Sequence, residues 1–320
     1  MNRLIRFVKE WSLPSAIVAG TVLYLLFSEV PLLEPVGDAV GPWLVALMPY
    51  NIFVMLFASF CKIRPSELRP HRWHFWIQGI RIALSALMVG VIALTPSPQA
   101  RLIGMGIFIC FISPTAAASP VVTEKLGGSI ASLTAFLILA NLVTAVIIPL
   151  FFPMVKEGIE MPFLEYSLLI LRRVTLVLLL PLVLSLLTRR WAPRVADRVA
   201  AWKNLSFYLW CVNLGITTGV TWQNLLRSGA HGLTLALLLL APAAACFLLF
   251  TIGKAVGRAY GDSITAGQAL GQKNTAVAIW LTLSFLDPVA AIAPGAYVIW
   301  QNIVNGWQLW YKQKHGRLPW

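Results

Sequence analysis

The sequence predicts an all-α integral membrane protein with ten transmembrane helices, arranged as two inverted five-helix repeats in which helices four and nine are broken and cross. The first observation is composition, since 58% of the 320 residues are hydrophobic and only 12% are charged. A soluble domain carries about 25% charged residues. The second observation is a series of apolar runs near the length of about 20 residues that spans a bilayer. The third is a polar interruption in the fourth and the ninth run.

The ten spans are placed from the apolar runs, and the sixth and seventh are the shortest. They lie near residues 13–33, 39–61, 73–95, 101–123, 129–152, 166–187, 204–221, 232–254, 263–285 and 288–311.

The basic residues fall mostly in short loops on one side, which predicts that both termini are cytoplasmic. The predicted inside positions are Arg3, Arg6, Lys9, Lys62, Arg64, Arg69, Arg72, Lys125, Arg189, Arg190, Arg194, Arg198, Lys203, Lys254, Arg258, Lys312, Lys314 and Arg317. The predicted outside positions are Arg101, Lys156, Arg172, Arg173 and Arg227. This asymmetry explains the net charge of +13 without a nucleic-acid partner.

The interruption at Gly267–Thr275 is the strongest functional signal, because it places a lysine, Lys273, inside an apolar run. A charge at membrane depth is costly and marks a functional site by default. Broken helices near the midplane are where many secondary transporters bind their cargo. The first half carries a matching interruption at Ser113–Pro120, where two prolines remove backbone donors.

The two interruptions indicate an inverted repeat. Thr115-Ala-Ala-Ala and Thr275-Ala-Val-Ala are 160 residues apart, half the chain. Each lies in the fourth span of a five-span half, and an odd number of spans gives the halves opposite orientations. The carbonyls freed at each break could face a ligand, and the helix N-termini that follow favour anions.

At these residues the chain resembles the bile acid:sodium symporter family. The stretches that carry the resemblance run from Met55 to Leu68, from Pro114 to Thr123, from Gly271 to Ala278, and from Pro294 to Asn302. The resemblance implies a panel domain from residues 13–61 and 166–221, and a core domain from residues 73–152 and 232–311. It also implies alternating access by movement of one domain against the other.

The chain departs from the family at the positions that would hold sodium. The resemblance places Ala269 where the family has a shared glutamate and Lys273 where it has a glutamine. The other degenerate sodium positions are Pro120, Leu133 and Leu137, and Arg81 falls near a span-three glutamine of the family. Like charges about 4 Å apart repel by roughly 4 kcal/mol at an effective dielectric near 20, so these substitutions argue against sodium at the family's second site and weaken the first.

The leading hypothesis is a sodium-independent secondary active transporter of a small organic anion, in which Lys273, with or without Arg81, substitutes for bound cations. If buried, Lys273 loses hydration and could exchange a proton during the cycle, or it could stay charged as a fixed counter-ion. The candidate substrate-binding and coupling residues are Lys273, Arg81, Gln272, Asn274, Thr275, Gln268, Thr115, Ser119, Thr123 and Asn302.

Several alternatives stay open. Gln268, Gln272, Ser119 and Thr123 could supply oxygens for a sodium-coupled organic anion symporter, and the fold could also serve a non-transporting sensor. Lys273 could be a structural pin, and Arg81 could snorkel toward the cytoplasmic side. No serine–histidine–aspartate or paired-carboxylate pattern suggests an enzyme, and neither a cofactor nor a metal is predicted. The expected partners are a small organic anion and the lipid bilayer, in a bacterial inner membrane.

Overall fold

The computed structural model describes residues 12–63, 68–156, 158–202, 205–227, 229–230 and 232–318. Apart from one isolated β-bridge, these residues contain helices and loops only. The α-helices are α1 (Ser12–Glu29), α2 (Glu34–Cys61), α3 (Arg72–Leu94), α4 (Pro98–Ile112), α5 (Ser119–Leu126), α6 (Ile130–Val155), α7 (Phe163–Val174), α8 (Leu180–Trp191), α9 (Pro193–Ala201), α10 (Leu205–Arg227), α11 (Gly232–Arg258), α12 (Ser263–Gly271), α13 (Thr275–Phe285) and α14 (Ile292–His315). A π-helical turn, Thr175–Leu179, joins α7 to α8, and a 3-10 helix, Pro288–Ala291, precedes α14.

Five helices among the described residues are long and apolar enough to cross a membrane by length and composition. They are Glu34–Cys61, Arg72–Leu94, Ile130–Val155, Phe163–Trp191 and Gly232–Arg258. Three shorter apolar helices, Ser15–Glu29, Pro98–Ile112 and Thr275–Phe285, accompany them. The prediction of an all-helical chain with several spanning helices is therefore confirmed, while the ten-span inverted repeat stays a prediction.

One group of helices consists of α1, α2, α8 and α10. Close approach of α1 and α10 depends on glycine, because a Cβ on Gly20 would overlap the backbone of Gly215. Polar pairs add to the packing of α2 and α10. Asn51 Nδ2 donates to Asn213 Oδ1 at 3.2 Å, and the hydroxyls of Ser59 and Ser206 lie 3.1 Å apart.

A second group of helices packs around α11 and α12, which form a tight hairpin. Gly253 and Gly257 of α11 face the backbone of α12 so closely that a Cβ on either would collide with it. Helices α3, α4, α6 and α14 surround this hairpin. The two groups meet where α13 and α14 lie against α2 and α10, with Thr221 of α10 filling the space beside Gly295.

The predicted interruptions are present, but the second is shorter than its sequence suggested. The chain leaves the helix at residues 113–118 in the first half and at residues 272–274 in the second. Gly267 and Gly271 lie inside α12, contrary to the expectation that they interrupt it. They serve packing instead, because Gly267 abuts the Lys254 side chain and Gly271 abuts the Phe250 ring.

One helix lies outside the predicted spans. Helix α9 was not predicted, and most of its residues are exposed. Part of the charge pattern lies outside the described residues, namely Arg3, Arg6, Lys9, Arg64 and Lys203. The same holds for the middle of the Met55–Leu68 stretch, residues 64–67.

Candidate functional site

The two helix breaks contact each other through their backbones. Thr115 and Lys273 form an antiparallel bridge, flanked by hydrogen bonds from Ala116 N to Gln272 O (3.1 Å) and from Asn274 N to Pro114 O (2.8 Å). In this type of antiparallel pair the two side chains lie on the same side and close together. The two broken helices, α4–α5 and α12–α13, thus meet at a short antiparallel ladder made of this one bridge.

Each break sends one side chain to the end of the other half-helix. The Lys273 ammonium donates to the carbonyls of Phe111 (3.1 Å) and Ser113 (3.3 Å) at the end of α4. The Thr115 hydroxyl donates to the carbonyl of Ala269 (2.6 Å) near the end of α12. The last carbonyls of a helix have no intrahelical partners, so these bonds act as reciprocal C-terminal caps.

A second cation, Arg81 of α3, reaches the same carbonyls. Its Nη1 donates to the carbonyls of Ile112 (3.1 Å) and Ser113 (3.4 Å) and to the hydroxyl of Thr144 (2.7 Å). Its Nη2 donates to the carbonyl of Ala140 at 3.2 Å. Arg81 is 2% exposed, so the alternative that it snorkels is wrong. Cations at a helix C-terminus are favourable because the carbonyl end is partly negative.

Neutral groups complete the second break. The Tyr297 hydroxyl donates to the carbonyl of Gly271 at 2.7 Å, and the Gln301 side chain accepts from the backbone N–H of Lys273 at 2.9 Å. Asn274 caps α13, since its side-chain oxygen accepts from Val277 N at 3.3 Å. Its amide nitrogen is buried and has no hydrogen-bond partner among the described residues.

No carboxylate in the described part of the chain pairs with either buried cation. The ion pairs there join Arg189 to Asp197, and Arg227 to Glu34 and Asp38, all on partly or fully exposed side chains. Lys273, at 2% exposed, and Arg81 therefore share backbone and hydroxyl acceptors, with Ser113 O in common. Carbonyl dipoles lower the cost of the two charges but leave the net charge of the site positive.

The remaining predicted polar residues fall into two sets. Gln268 and Thr123 are buried on α12 and α5. Gln268 Nε2 donates to Asn305 Oδ1 at 3.2 Å, while Gln268 Oε1 and Thr123 Oγ1 have no partner among the described residues. Ser119 bonds locally, donating to Ala116 O at 2.7 Å.

Gln272 and Thr275 are buried at the second break, one on each side of the paired residues. Gln272 contributes its carbonyl to the ladder, and Thr275 begins α13. Among the described residues, the side chain of Asn302 forms no hydrogen bond with the residues of the crossing. Its amide donates to Val298 O of its own helix at 2.8 Å.

The positions that would be sodium ligands in the family are occupied by groups that offer no side-chain oxygen. Ala269, Leu133 and Leu137 are buried apolar residues. Pro120 lies in the first turn of α5, where backbone N–H groups have no acceptor within the helix, so the N–H that proline lacks costs no helical hydrogen bond. The nearby carbonyls at the end of α4 accept hydrogen bonds from the two cations.

Four residues near the crossing were missed by the sequence prediction: Gln301, Asn305 and Gln308 of α14, and Gln78 of α3. The three on α14 are buried and spaced four and three residues apart, which places them on one helix face. Gln78 lies one turn before Arg81 and is 4% exposed, with neither amide atom partnered among the described residues. The signal in the sequence that could have found them is the recurrence of amide side chains at helical spacing within apolar spans.

The structure also brings a serine, a histidine and an aspartate together. His74 Nε2 lies 3.2 Å from Ser132 Oγ, which donates to Asp262 Oδ2 at 3.2 Å. In a hydrolase triad the histidine lies between the other two residues and takes the proton of the serine. Here the serine lies between them and points its proton at the aspartate, so this order does not activate the serine.

The comparison with protein families decides the identity of the chain. Residues 17–303 match the profile of the SBF-like CPA transporter family. The chain belongs to that family. No curated protein matches it. This family assignment confirms the resemblance to the bile acid:sodium symporters and, with the apolar helices, identifies a multi-pass membrane protein of a transporter family.

Proposed function

We propose that this member of the SBF-like CPA transporter family is a sodium-independent secondary active transporter of a small organic anion. The observation that carries the proposal is the pair of buried cations at the crossing, Lys273 and Arg81, with no carboxylate partner among the described residues. Two positive charges at membrane depth are costly, and a bound anion lowers that cost. A sodium ion near the two cations would raise that cost, because it adds a third positive charge.

The proposed moving parts follow the two groups of helices, except that α7, most of which belongs to the panel domain, packs against α6 of the core domain. Residues 13–61 and 166–221 form the panel domain, and residues 73–152 and 232–311 form the core domain, which carries the crossing. Support comes from the packing, because α1, α2 and α10 contact one another extensively and meet α13 and α14 at a smaller boundary. The two five-helix halves are inverted repeats, and the protein lies in a bacterial inner membrane with both termini inside.

Two modes of coupling fit a buried ammonium. In the first, Lys273 gives up its proton in one orientation and regains it in the other, so transport is linked to the proton gradient. In the second, Lys273 stays charged and only balances the substrate. The pH dependence of transport separates the two modes, because only the first loses its pH dependence when Lys273 is replaced by a neutral residue.

The test is counterflow in proteoliposomes. Vesicles are loaded with unlabelled acetate, pyruvate, lactate or succinate, and uptake of the labelled compound is followed in choline buffer and again in sodium buffer. We expect uptake that saturates and persists in choline, and a decrease of at least about ten-fold in Lys273→Gln, as for loss of a charge-assisted bond.

Lys312→Gln is the matched control. Lys312 also caps a half-helix, donating to Lys125 O at 3.1 Å, but it lies at the exposed end of α5. Its variant should transport like the wild type. Full activity of Lys273→Gln at every pH would contradict both modes of coupling.

The second candidate is a sodium-coupled organic anion symporter with rearranged ligands. It is favoured by two buried oxygens without partners among the described residues, Gln268 Oε1 and Thr123 Oγ1. A requirement for sodium in the counterflow assay, together with loss of that requirement in Gln268→Leu, would establish this candidate and overturn the first.

A further inference from the structure

The panel side of the proposed site carries a buried amide without a full set of partners. Asn213 of α10 is 0% exposed, and its Oδ1 accepts from Asn51 of α2. Its Nδ2 has no hydrogen-bond partner among the described residues. An unpaired buried polar group is destabilising, so its retention calls for a function.

Asn213 lies on the face of α10 that is turned away from α1. Gly215, Gly219 and Trp222 face α1, where Trp222 Nε1 donates to Thr21 at 3.0 Å. Positions 213, 217, 221 and 224 are spaced three or four residues apart and share the opposite face. The last two of them, Thr221 and Asn224, touch Gly295 and the Pro288 carbonyl of the other helix group.

The depth of Asn213 matches that of the crossing. Asn224 Nδ2 donates to Pro288 O at 2.6 Å, which aligns α10 with the end of α13. Asn213 is eleven residues earlier in α10, about 16 Å down the helix axis. Thr275, the first residue of α13, is about 15 Å below Phe285 by the same rise. Residues Leu209, Trp210 and Ile216 of α10 pack into the same apolar cluster as α13.

Three of the vacant groups near the two breaks and α10 are donors. Asn274 Nδ2 and Arg81 Nε are buried without partners among the described residues, as is Asn213 Nδ2. The oxygens of both asparagines already accept hydrogen bonds. A ligand that satisfies all three must therefore offer acceptors, as the oxygens of a carboxylate do, and a metal cation does not fit them.

We propose that Asn213, held by Asn51, is the panel-side wall of the substrate site and donates to a carboxylate oxygen of the transported anion. The inference rests on the proposed function and deepens it, because it makes the substrate bridge the two helix groups. Asn274 and the two cations contact the anion from the core side, and Asn213 contacts it from the panel side.

The test is thermal unfolding of the purified full-length protein in choline salts of acetate, pyruvate, lactate and succinate, with acetamide as the uncharged control. Asn213→Leu keeps the branching of the side chain, removes the unpaired donor and also removes the oxygen that accepts from Asn51. We expect little change in the unfolding temperature without anion, because removal of the unpaired Nδ2 is offset by loss of the acceptor for Asn51. We expect the apparent affinity for the stabilising carboxylate to fall about ten-fold.

Asn213→Asp is the second variant, because it keeps the size of the side chain and places a negative charge against the anion. It should abolish the stabilisation by carboxylates. Ser206→Ala is the matched control, since Ser206 joins the same two helices two turns away and should respond like the wild type. A purely structural role for Asn213 predicts an unchanged response to anions in both variants.

The outcomes separate the inference from the function on which it rests. If the wild type and both Asn213 variants respond equally to a carboxylate, the inference is overturned and the proposed function stands. If no carboxylate stabilises the wild type and none is taken up in counterflow, the proposed function is overturned, and the inference with it.

Discussion

The two helix breaks cap one another with side chains of unequal charge. From the second break, a cation reaches the end of α4, where Arg81 joins it. From the first break, a neutral hydroxyl reaches the end of α12, where the Tyr297 hydroxyl joins it. The backbone geometry of the two breaks is therefore similar and their electrostatics are not. Charge at the crossing is concentrated on the α4 side, which is where an anion would be attracted.

The largest effect should come from removing Arg81, because one side chain serves four acceptors at the charged break. Arg81→Leu leaves buried carbonyls without donors, and we expect a loss of roughly 3 kcal/mol in apparent stability. Thermal unfolding of the purified protein measures it. Arg172→Leu, at an exposed arginine, is the control, and a loss no larger than that of the control would show that Arg81 does not hold the break together.

An intermediate effect is expected at the neutral break from steric overlap. A Cβ on Gly271 would overlap the Phe250 ring of α11, so Gly271→Ala should cost about 2 kcal/mol. The double variant Gly271→Ala with Phe250→Leu should regain part of that loss. If the single variant unfolds at the wild-type temperature, close packing of α11 on α12 is not what positions this break.

The smallest effect is expected from Tyr297→Phe, which removes one neutral hydrogen bond to Gly271 O. We expect a loss of about 1 kcal/mol in thermal unfolding and no change in the pH dependence of transport. A change in the pH dependence would mean that the neutral break also takes part in coupling, and the electrostatic contrast between the breaks would then fail.

The local sequence pattern predicted where the two helix breaks lie, but not which residues form hydrogen bonds with them. Pro114, Pro120 and Lys273 stand out in apolar runs, and the structure shows the chain leaving the helix beside each of them. The bond from Lys273 to Phe111 joins residues 162 positions apart, and no local pattern encodes that distance. Gly267 and Gly271 fall within the interruption that the sequence predicts, because sequence alone does not show that they pack against α11.

Periodicity explains which site residues escaped prediction. The family motif points to Asn302, whereas Gln301 and Asn305 lie on the buried face of α14 and fall outside the prediction. Asn213 was missed for a different reason. A single asparagine in an apolar span is common between helices, and only its unpaired nitrogen, visible in three dimensions, distinguishes it.

The short ladder at the crossing fixes the register of the chain as well as its position. Along an extended segment, successive side chains point to opposite sides, so Lys273 points one way and its extended neighbour Gln272 points the other. A slip of one residue would turn the ammonium away from α4 and present an amide in its place. The number of residues between the end of α12 and the start of α13 thus decides which side chain reaches α4. A single insertion or deletion there would replace a charged cap by a neutral one.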